Sequence, residues 1–338
     1  MKFGVFDHVD CSDVDLATHL ENRLRLTEVY DRCGMYGYHV AEHHGTPLGY
    51  APSPSVLLSA VAQRTSRLRI GPLVYLLPLY HPLRLIEEVA MLDHMSHGRL
   101  MLGVGRGASS IEMGFYEVPA EEQQGRYEET LEILLQGFQS DTLTYKGKYH
   151  SFANVPMTMK PYQKPYPELW YGGRSLESAA WAARRGINIV TLALDAEVRA
   201  MTDLYRREWA AAGGKPEDVP LMGVSRHIVV APTDEEAKAI ARPAYEHWRA
   251  SFIKLWIDNG WKTPMLNLYP ETWDELEAVK NGCAGSPETV RRFAHEEAEQ
   301  GGFNYLISWF AFGSMGLAQA TRSVELFSQH VMPSFDGR

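Results

Sequence analysis

Residues 68–107 read LRIGPLVYLLPLYHPLRLIEEVAMLDHMSHGRLMLGVGRG. LRIGPLVYLLP (68–78) is a strand, Pro82 opens a helix that runs to Met95, and RLMLGVG (99–105) is the next strand. A strand, a helix and a second strand predict parallel neighbours, because parallel strands need a long crossover and that crossover is normally a helix.

The same alternation extends outward in both directions. Strands are expected over 3–7, YHVAEHH (38–44), ELWYGG (168–173), INIVTLAL (187–194), LMGVSRHIVVA (221–231) and FNYLISWF (303–310). Helices are expected over 15–33, where Leu16, Leu20, Leu24 and Val29 keep helical spacing, and over 55–63, 121–137, 175–185, 196–212, 234–250, 287–300 and 316–331. Two stretches break the rhythm. In 138–167, LTYKGKYHSF reads as a small hairpin turning at Lys-Gly, and 251–285 is irregular and rich in Trp and Pro. Eight strands and at least eight helices predict an α/β fold, a single (β/α)8 TIM barrel over 1–338 with insertions near 138–167 and 251–285. A doubly wound open sheet is the alternative. It would place a glycine fingerprint after its first strand, where this chain has DHVDCSD.

Composition narrows the function classes. Lys and Arg number 33 against 42 Asp and Glu, a formal charge of −9, and 45% of residues are hydrophobic. That balance excludes a disordered chain, and with no basic run it gives no footprint for nucleic acid. No apolar run approaches the roughly 18–20 residues that span a bilayer, so no membrane association is expected. The opening MKFGVFDHVD places acids where a secretory leader would be apolar. Cys11, Cys33 and Cys283 are odd in number and far apart, which predicts a reduced cytoplasm and no disulfide framework or thiolate zinc site.

In a parallel barrel, functional side chains gather at the C-terminal ends of strands. After the second strand comes Glu42-His43-His44. Strand alternation turns Glu42 and His44 one way and His43 the other, unless the strand has already ended. A packed histidine beside a solvated glutamate is the plain alternative. No metal is expected: the first strand has only the trailing His8, and ELWYGG and INIVTLAL hold no histidine. After the fourth strand, Gly103–Ser109 carries Arg106, whose planar fork suits phosphate, although the same glycines would serve a tight turn. After the fifth strand, Arg174 and Ser175 precede a helix, with Ser178 three residues on. The free amides of that helix start suit an anion, or Ser175 is an ordinary N-cap. Arg226 and His227 are adjacent on a strand and so face opposite sides, leaving His227 as a packed residue or a catalytic one. Trp248, Phe252, Trp256 and Trp261 form a packing face or an apolar lid.

Taken in order, MKFGVFDH, AEHH, LLPLYHPLRLIEEVAMLDHMSHGRLMLGVGRG, GGRSLESAAWAARRG and LFSQHVMP resemble the bacterial luciferase-like flavin monooxygenases across nearly the whole chain. The resemblance implies that His43 is the catalytic histidine, a general acid/base, with Glu42 orienting it or touching the flavin. It implies phosphate contacts from Arg106, Arg174, Ser175 and Ser178, and a further basic position at Arg126. It also implies a non-proline cis peptide near Leu73–Val74 or Val74–Tyr75, which makes Val74 a flavin contact. Arg226-His227 is similar to a pair in the alkanesulfonate and long-chain alkane branches, which adds His227 to the catalytic candidates. The implied activity is a two-component monooxygenase in which a separate NAD(P)H-dependent flavin reductase supplies reduced FMN. One oxygen of dioxygen passes, through a flavin 4a-hydroperoxide, into a small apolar organic substrate such as an aldehyde. The family also implies a cytoplasmic homodimer. A deazaflavin-dependent hydride-transfer enzyme and a non-catalytic flavin-binding partner subunit stand as alternatives.

Overall fold

The computed structural model describes residues 1–262 and 265–335, with the side chain of Asp195 left aside. The chain begins with β1 (Lys2–Asp7), α1 (Leu16–Arg32), β2 (Gly37–Val40), α2 (Pro54–Arg64) and β3 (Arg69–Pro72). β4 (Tyr75–Leu76) continues β3 beyond a bulge whose Leu73–Val74 peptide is cis, at the first of the two positions expected. Next come α3 (Pro82–Met95), β5 (Leu102–Gly105), α4 (Ser110–Phe115) and α5 (Gln123–Gln139). The hairpin β6 (Thr142–Lys146) and β7 (Ser151–Pro156) stands apart from the barrel. It is followed by β8 (Leu169–Gly172), α6 (Leu176–Ala183), β9 (Asn188–Thr191), α7 (Asp195–Ala211), β10 (Met222–Val230) and α8 (Asp234–Asp258). The last part is α9 (Trp273–Ala278), β11 (Gly282–Gly285), α10 (Pro287–Gly301), β12 (Tyr305–Trp309) and α11 (Leu317–His330).

The strands pair in parallel in the order β3-β2-β1-β12-β10-β9-β8-β5-β4. An Ile70–Leu100 bridge joins the two ends and closes the ring. With β3 and β4 taken as one strand, this is an eight-stranded barrel wrapped by helices, as expected. Among the described residues, β11 is a ninth parallel strand outside the ring and pairs with the C-terminal half of β10 (His227 opposite Gly282).

The second insertion corrects the expectation of irregular chain. α8 continues to Asp258, since buried Trp248, Ser251, Phe252 and Leu255 keep i, i+3, i+4 spacing. α9 and β11 occupy most of the rest; Thr263 and Pro264 lie outside the described residues. β11 escapes a sequence reading because Gly-Cys-Ala-Gly has little β-propensity. It is a strand because β10 offers it an open edge.

Alternation sorts the strand residues into two cores. Val5, Ile70, Leu102, Val224 and Leu306 pack outward against helices. Met101, Trp170, Val190, Tyr305 and Ile307 fill the barrel. The Tyr305 ring explains Gly4, where a Cβ would stand 1.8 Å from the tyrosine oxygen. A third cluster, including Trp248, Tyr269, Trp273, Trp309 and Phe312, covers one side of the barrel mouth.

Beneath that mouth, Arg23 of α1 reaches two buried carboxylates, Asp7 at 3.8 Å and Asp10 at 3.4 Å. Asp10 also accepts the Gly313 amide at 2.7 Å, which ties the loop after β12 to the end of β1. Burial pushes the Asp10 carboxyl from 3.8 up to about 7, against the pull of Arg23. The folded chain therefore binds this proton more tightly than the unfolded chain. Its contribution to stability is full below the unfolded value and is lost as the pH rises through about 7. Asp10→Asn is expected to flatten the pH dependence of stability over that interval, measured as urea midpoints between pH 4 and 8. An unchanged slope would contradict this assignment.

Candidate active site

Strand pairing in β2 ends at Val40, and the chain then presents Glu42, His43 and His44 at the mouth. Glu42 is only 3% exposed, and three donors converge on it. Oε2 accepts from the Leu76 amide at 3.0 Å and the Tyr80 hydroxyl at 2.9 Å, and Oε1 lies 2.9 Å from His44 Nε2. Glu42 and His44 thus share a side, with His43 turned away. The Tyr116 hydroxyl stands 2.8 Å from His44 Nδ1, so His44 donates to Glu42 and accepts from Tyr116. Burial and then the Glu42 charge push the Tyr80 phenol up, which keeps it a donor. Through Leu76 this buried carboxylate anchors the bulge that carries Val74.

His43 Nδ1 lies 3.0 Å from Oε1 of Glu112, a residue 3% exposed on α4. An ionised carboxylate only accepts, so Nδ1 carries the proton and Nε2 is left as the other nitrogen of the ring. His43 lines an open cleft of about 510 Å3 whose walls include Leu16, Pro47, Tyr50, Pro52 and Lys254. Gly49 is required here, since a Cβ would meet the Cβ of His43 at 2.9 Å.

Behind His43 sits His8, with ring centroids 5.3 Å apart. Burial, with the Arg23 charge adding, holds the His8 imidazole well below its ordinary range. Neutral His8 accepts from Trp248 Nε1 at 3.4 Å. Farther along, His227 is sealed among Trp309, Trp248 and Phe312, with centroids at 4.0, 4.7 and 4.8 Å. Burial holds His227 far below the usual range as well, and its Nε2 has no hydrogen-bond partner among the described residues. Arg226 faces the opposite way, as alternation requires, and bonds Glu297 of α10 at 2.9 Å inside the protein.

The phosphate candidates sit elsewhere on the rim. Val74 packs so closely on Gly105 that a Cβ there would meet it at 2.4 Å. Arg106 and Arg174 are exposed at the ends of β5 and β8. Ser175 caps α6 in a reciprocal box with Ser178, each hydroxyl accepting the other residue's amide at 3.1 Å. The Leu176 and Glu177 amides, in the first turn, have no intrahelical acceptor. Above the end of β8 a Cβ at Gly172 would meet nothing within 4 Å, so the floor beside these groups is open. Arg126 points instead to the hairpin side, paired with Glu122 at 2.7 Å and stacked 4.9 Å over Tyr149.

Ring order brings most of these residues together. Glu42 and His43, then Val74, Arg106, and finally Arg174 and the serines follow the ends of four consecutive strands, β2, β3/β4, β5 and β8. His227, on β10, lies across the mouth from them. Glu112 and Tyr116 are absent from the sequence reading. Their one local signal is Ser109, three residues before Glu112, whose hydroxyl caps α4 at 3.3 Å.

Residues 1–305 match the family described as luciferase-like monooxygenase. An uncharacterized protein of Sinorhizobium fredii is 40% identical over 317 residues, spanning 94% of this chain and 92% of that one. The oxygenase component of the flavin-dependent trigonelline monooxygenase of Acinetobacter baylyi is 27% identical over 354 residues, spanning 99% and 96%. Among solved structures, the oxygenating constituent of the 3,6-diketocamphane monooxygenase of Pseudomonas putida, a type II Baeyer-Villiger monooxygenase in complex with FMN, aligns with a TM-score of 0.83. It covers 98% of each chain at 22% identity, a likeness of fold.

Proposed function

Because the chain belongs to the luciferase-like monooxygenase family, we propose that it is the oxygenase component of a two-component flavin monooxygenase. In this reading it uses reduced FMN and dioxygen to oxygenate a small apolar substrate such as an aldehyde, and a separate NAD(P)H-dependent reductase supplies the flavin. The Acinetobacter relative is named as the oxygenase component of a flavin-dependent monooxygenase, and the Pseudomonas structure holds FMN. The observation that carries the reading is the His43–Glu112 pair, which fixes one imidazole nitrogen and leaves the other for chemistry at the cleft wall.

Reduced flavin, when bound, supplies the electrons that activate dioxygen. The chain supplies position, proton control and exclusion of water. His43 Nε2 gives or takes the proton at the reacting oxygen, and Glu112 holds the tautomer that makes this nitrogen available. Glu42 has both oxygens engaged, so it acts as a positioning residue for the bulge, whose Val74 would contact the flavin when bound. His8 and His227, both held neutral by burial, keep the back wall uncharged. Arg106, Arg174, Ser175, Ser178 and the first amides of α6 suit the phosphate in charge and donor type, on an open floor at Gly172. Leu16, Pro47, Tyr50 and Pro52 favour an apolar substrate. Exposed Val56, Met91 and Met95 on α2 and α3 support a homodimer, and three free cysteines support a cytoplasmic setting.

The decisive assay combines the chain with NADH, FMN and an unrelated flavin reductase, and follows oxygen uptake and product over aldehydes, ketones and alkanes. Oxygenated product is the expected result. Turnover of a reduced deazaflavin without oxygen uptake would overturn it in favour of hydride transfer. Arg106→Ala is expected to weaken FMN binding by roughly 10–100-fold, the range of a hydrogen bond to a charged group, and to leave riboflavin binding unchanged. Equal losses for both flavins would remove Arg106 from the phosphate site.

A further inference from the structure

The loops after β1 and β2 meet α8 beside the His43 cleft, and Cys11 sits in that corner. Its amide donates to the Pro47 carbonyl at 2.8 Å, and Pro47 is part of the cleft wall. Its sulfur lies 3.3 Å from His247 Nε2 and 3.2 Å from the Ser251 hydroxyl. His247, Ser251 and Lys254 follow one another at i, i+4, i+7 on α8 and so share a helix face, and Lys254 also lines the cleft. A thiol within hydrogen-bond reach of an imidazole is the arrangement of an activated nucleophile, and the Ser251 hydroxyl can donate to the same sulfur. The other two thiols lack this setting. Cys33 ends α1 half-buried, with no base bonded to its sulfur among the described residues. Cys283 is buried on β11, and burial pushes its thiol up, away from the thiolate form that reacts.

We propose that Cys11 and His247 form a nucleophilic pair that takes up hydrogen peroxide, and that the resulting sulfenic acid controls the neighbouring cleft. The source of the oxidant rests on the flavin reading above: reduced flavin and dioxygen, with no substrate to oxygenate, give oxidised flavin and hydrogen peroxide. His247 takes the thiol proton as the sulfur attacks one peroxide oxygen. The O–O bond breaks, an S–O bond forms, and the leaving hydroxide takes the proton and departs as water. Sulfur is oxidised by two electrons and the peroxide is reduced by two. The added oxygen displaces the contacts at 3.3 and 3.2 Å that join the Cys11 loop to α8. Pro47 hangs on the Cys11 amide and Lys254 on the same face of α8, so the cleft between them loses its fit to substrate. Peroxide made by idle turnover thereby slows the chain that made it.

The test treats the full chain with equimolar hydrogen peroxide and follows all three cysteines by dimedone capture and peptide mass spectrometry, which needs no turnover. Cys11 is expected to be captured at least about tenfold faster than Cys33 or Cys283, and His247→Gln to slow Cys11 by about tenfold, because the thiolate is the species that reacts. Capture at Cys33 as fast as at Cys11, or a Cys11 rate unchanged in His247→Gln, overturns the pair. In the reductase-coupled assay the peroxide-treated chain is expected to lose most of its turnover and to regain it with dithiothreitol. Dithiothreitol reverses a sulfenic acid, whereas methionine sulfoxide needs its own reductases, so recovery separates Cys11 from the methionines. Cys11→Ser is expected to turn over normally and to keep that turnover after the same treatment. Full turnover with Cys11 oxidised overturns the proposal. An untreated chain with no oxygenase turnover overturns the flavin reading instead, and the capture rates still decide the Cys11–His247 pair.

Discussion

His43→Ala is expected to slow oxygenation by about 10²–10⁴-fold, the usual share of a positioned acid/base, with FMN affinity changed by no more than about twofold. The separation follows from geometry. His43 is held from the side by Glu112 at 3.0 Å and faces the cleft, whereas the phosphate candidates lie on β5 and β8. Removing the imidazole takes away a proton carrier without touching those groups. Glu112→Gln gives a graded companion. An amide oxygen still accepts from Nδ1, but the charge that favours this tautomer is gone, so the loss should be smaller than for His43→Ala. Single-turnover kinetics with pre-reduced FMN measure the chemical step, and flavin fluorescence measures binding. If His43→Ala weakens flavin binding and turnover in the same proportion, His43 is a packing residue and the assignment fails.

Glu297→Ala carries the largest effect expected on stability, a loss of about 3–5 kcal/mol, because it leaves the Arg226 guanidinium without its carboxylate inside the protein. The side chains of Arg226 and Glu297 are 0% and 1% exposed. A buried pair contributes little over apolar residues of the same volume, but half of one is costly. The double change Arg226→Met with Glu297→Leu should therefore recover most of the loss. Urea unfolding at constant m-value reads both variants. A loss under about 1 kcal/mol for Glu297→Ala would mean that solvent reaches Arg226. β10 carries Arg226 on its outer face and His227 on its inner face.

The barrel was legible because each strand and helix announces itself within a few residues. Pro82 at a helix start, the period of α1 and the apolar runs of β5 and β10 are local facts. The weak places are those where the neighbours decide. β11 has almost no side chains to signal it, and it pairs because the second half of β10 is long enough to offer an edge. The last turns of α8 were hidden in a stretch whose Trp and Pro content suggested loop, yet Phe252 is held by the aromatic cluster at the mouth and Leu255 is buried one turn on.

The site divides along the same line. Sequence alone determined the order Glu42-His43-His44, the Ser175–Ser178 cap and the opposite facing of Arg226 and His227, since all three depend on residues no more than three apart. Tertiary structure alone decided that His43 pairs with Glu112, 69 residues away, that Glu42 anchors the bulge at Leu76, and that His227 is enclosed by Trp248 and Trp309. Caps and periodicities arise from hydrogen bonds and packing between near neighbours along the chain. Partners across the mouth meet only because the closed ring of strands brings separate loops within about 3 Å, a distance that no local pattern encodes.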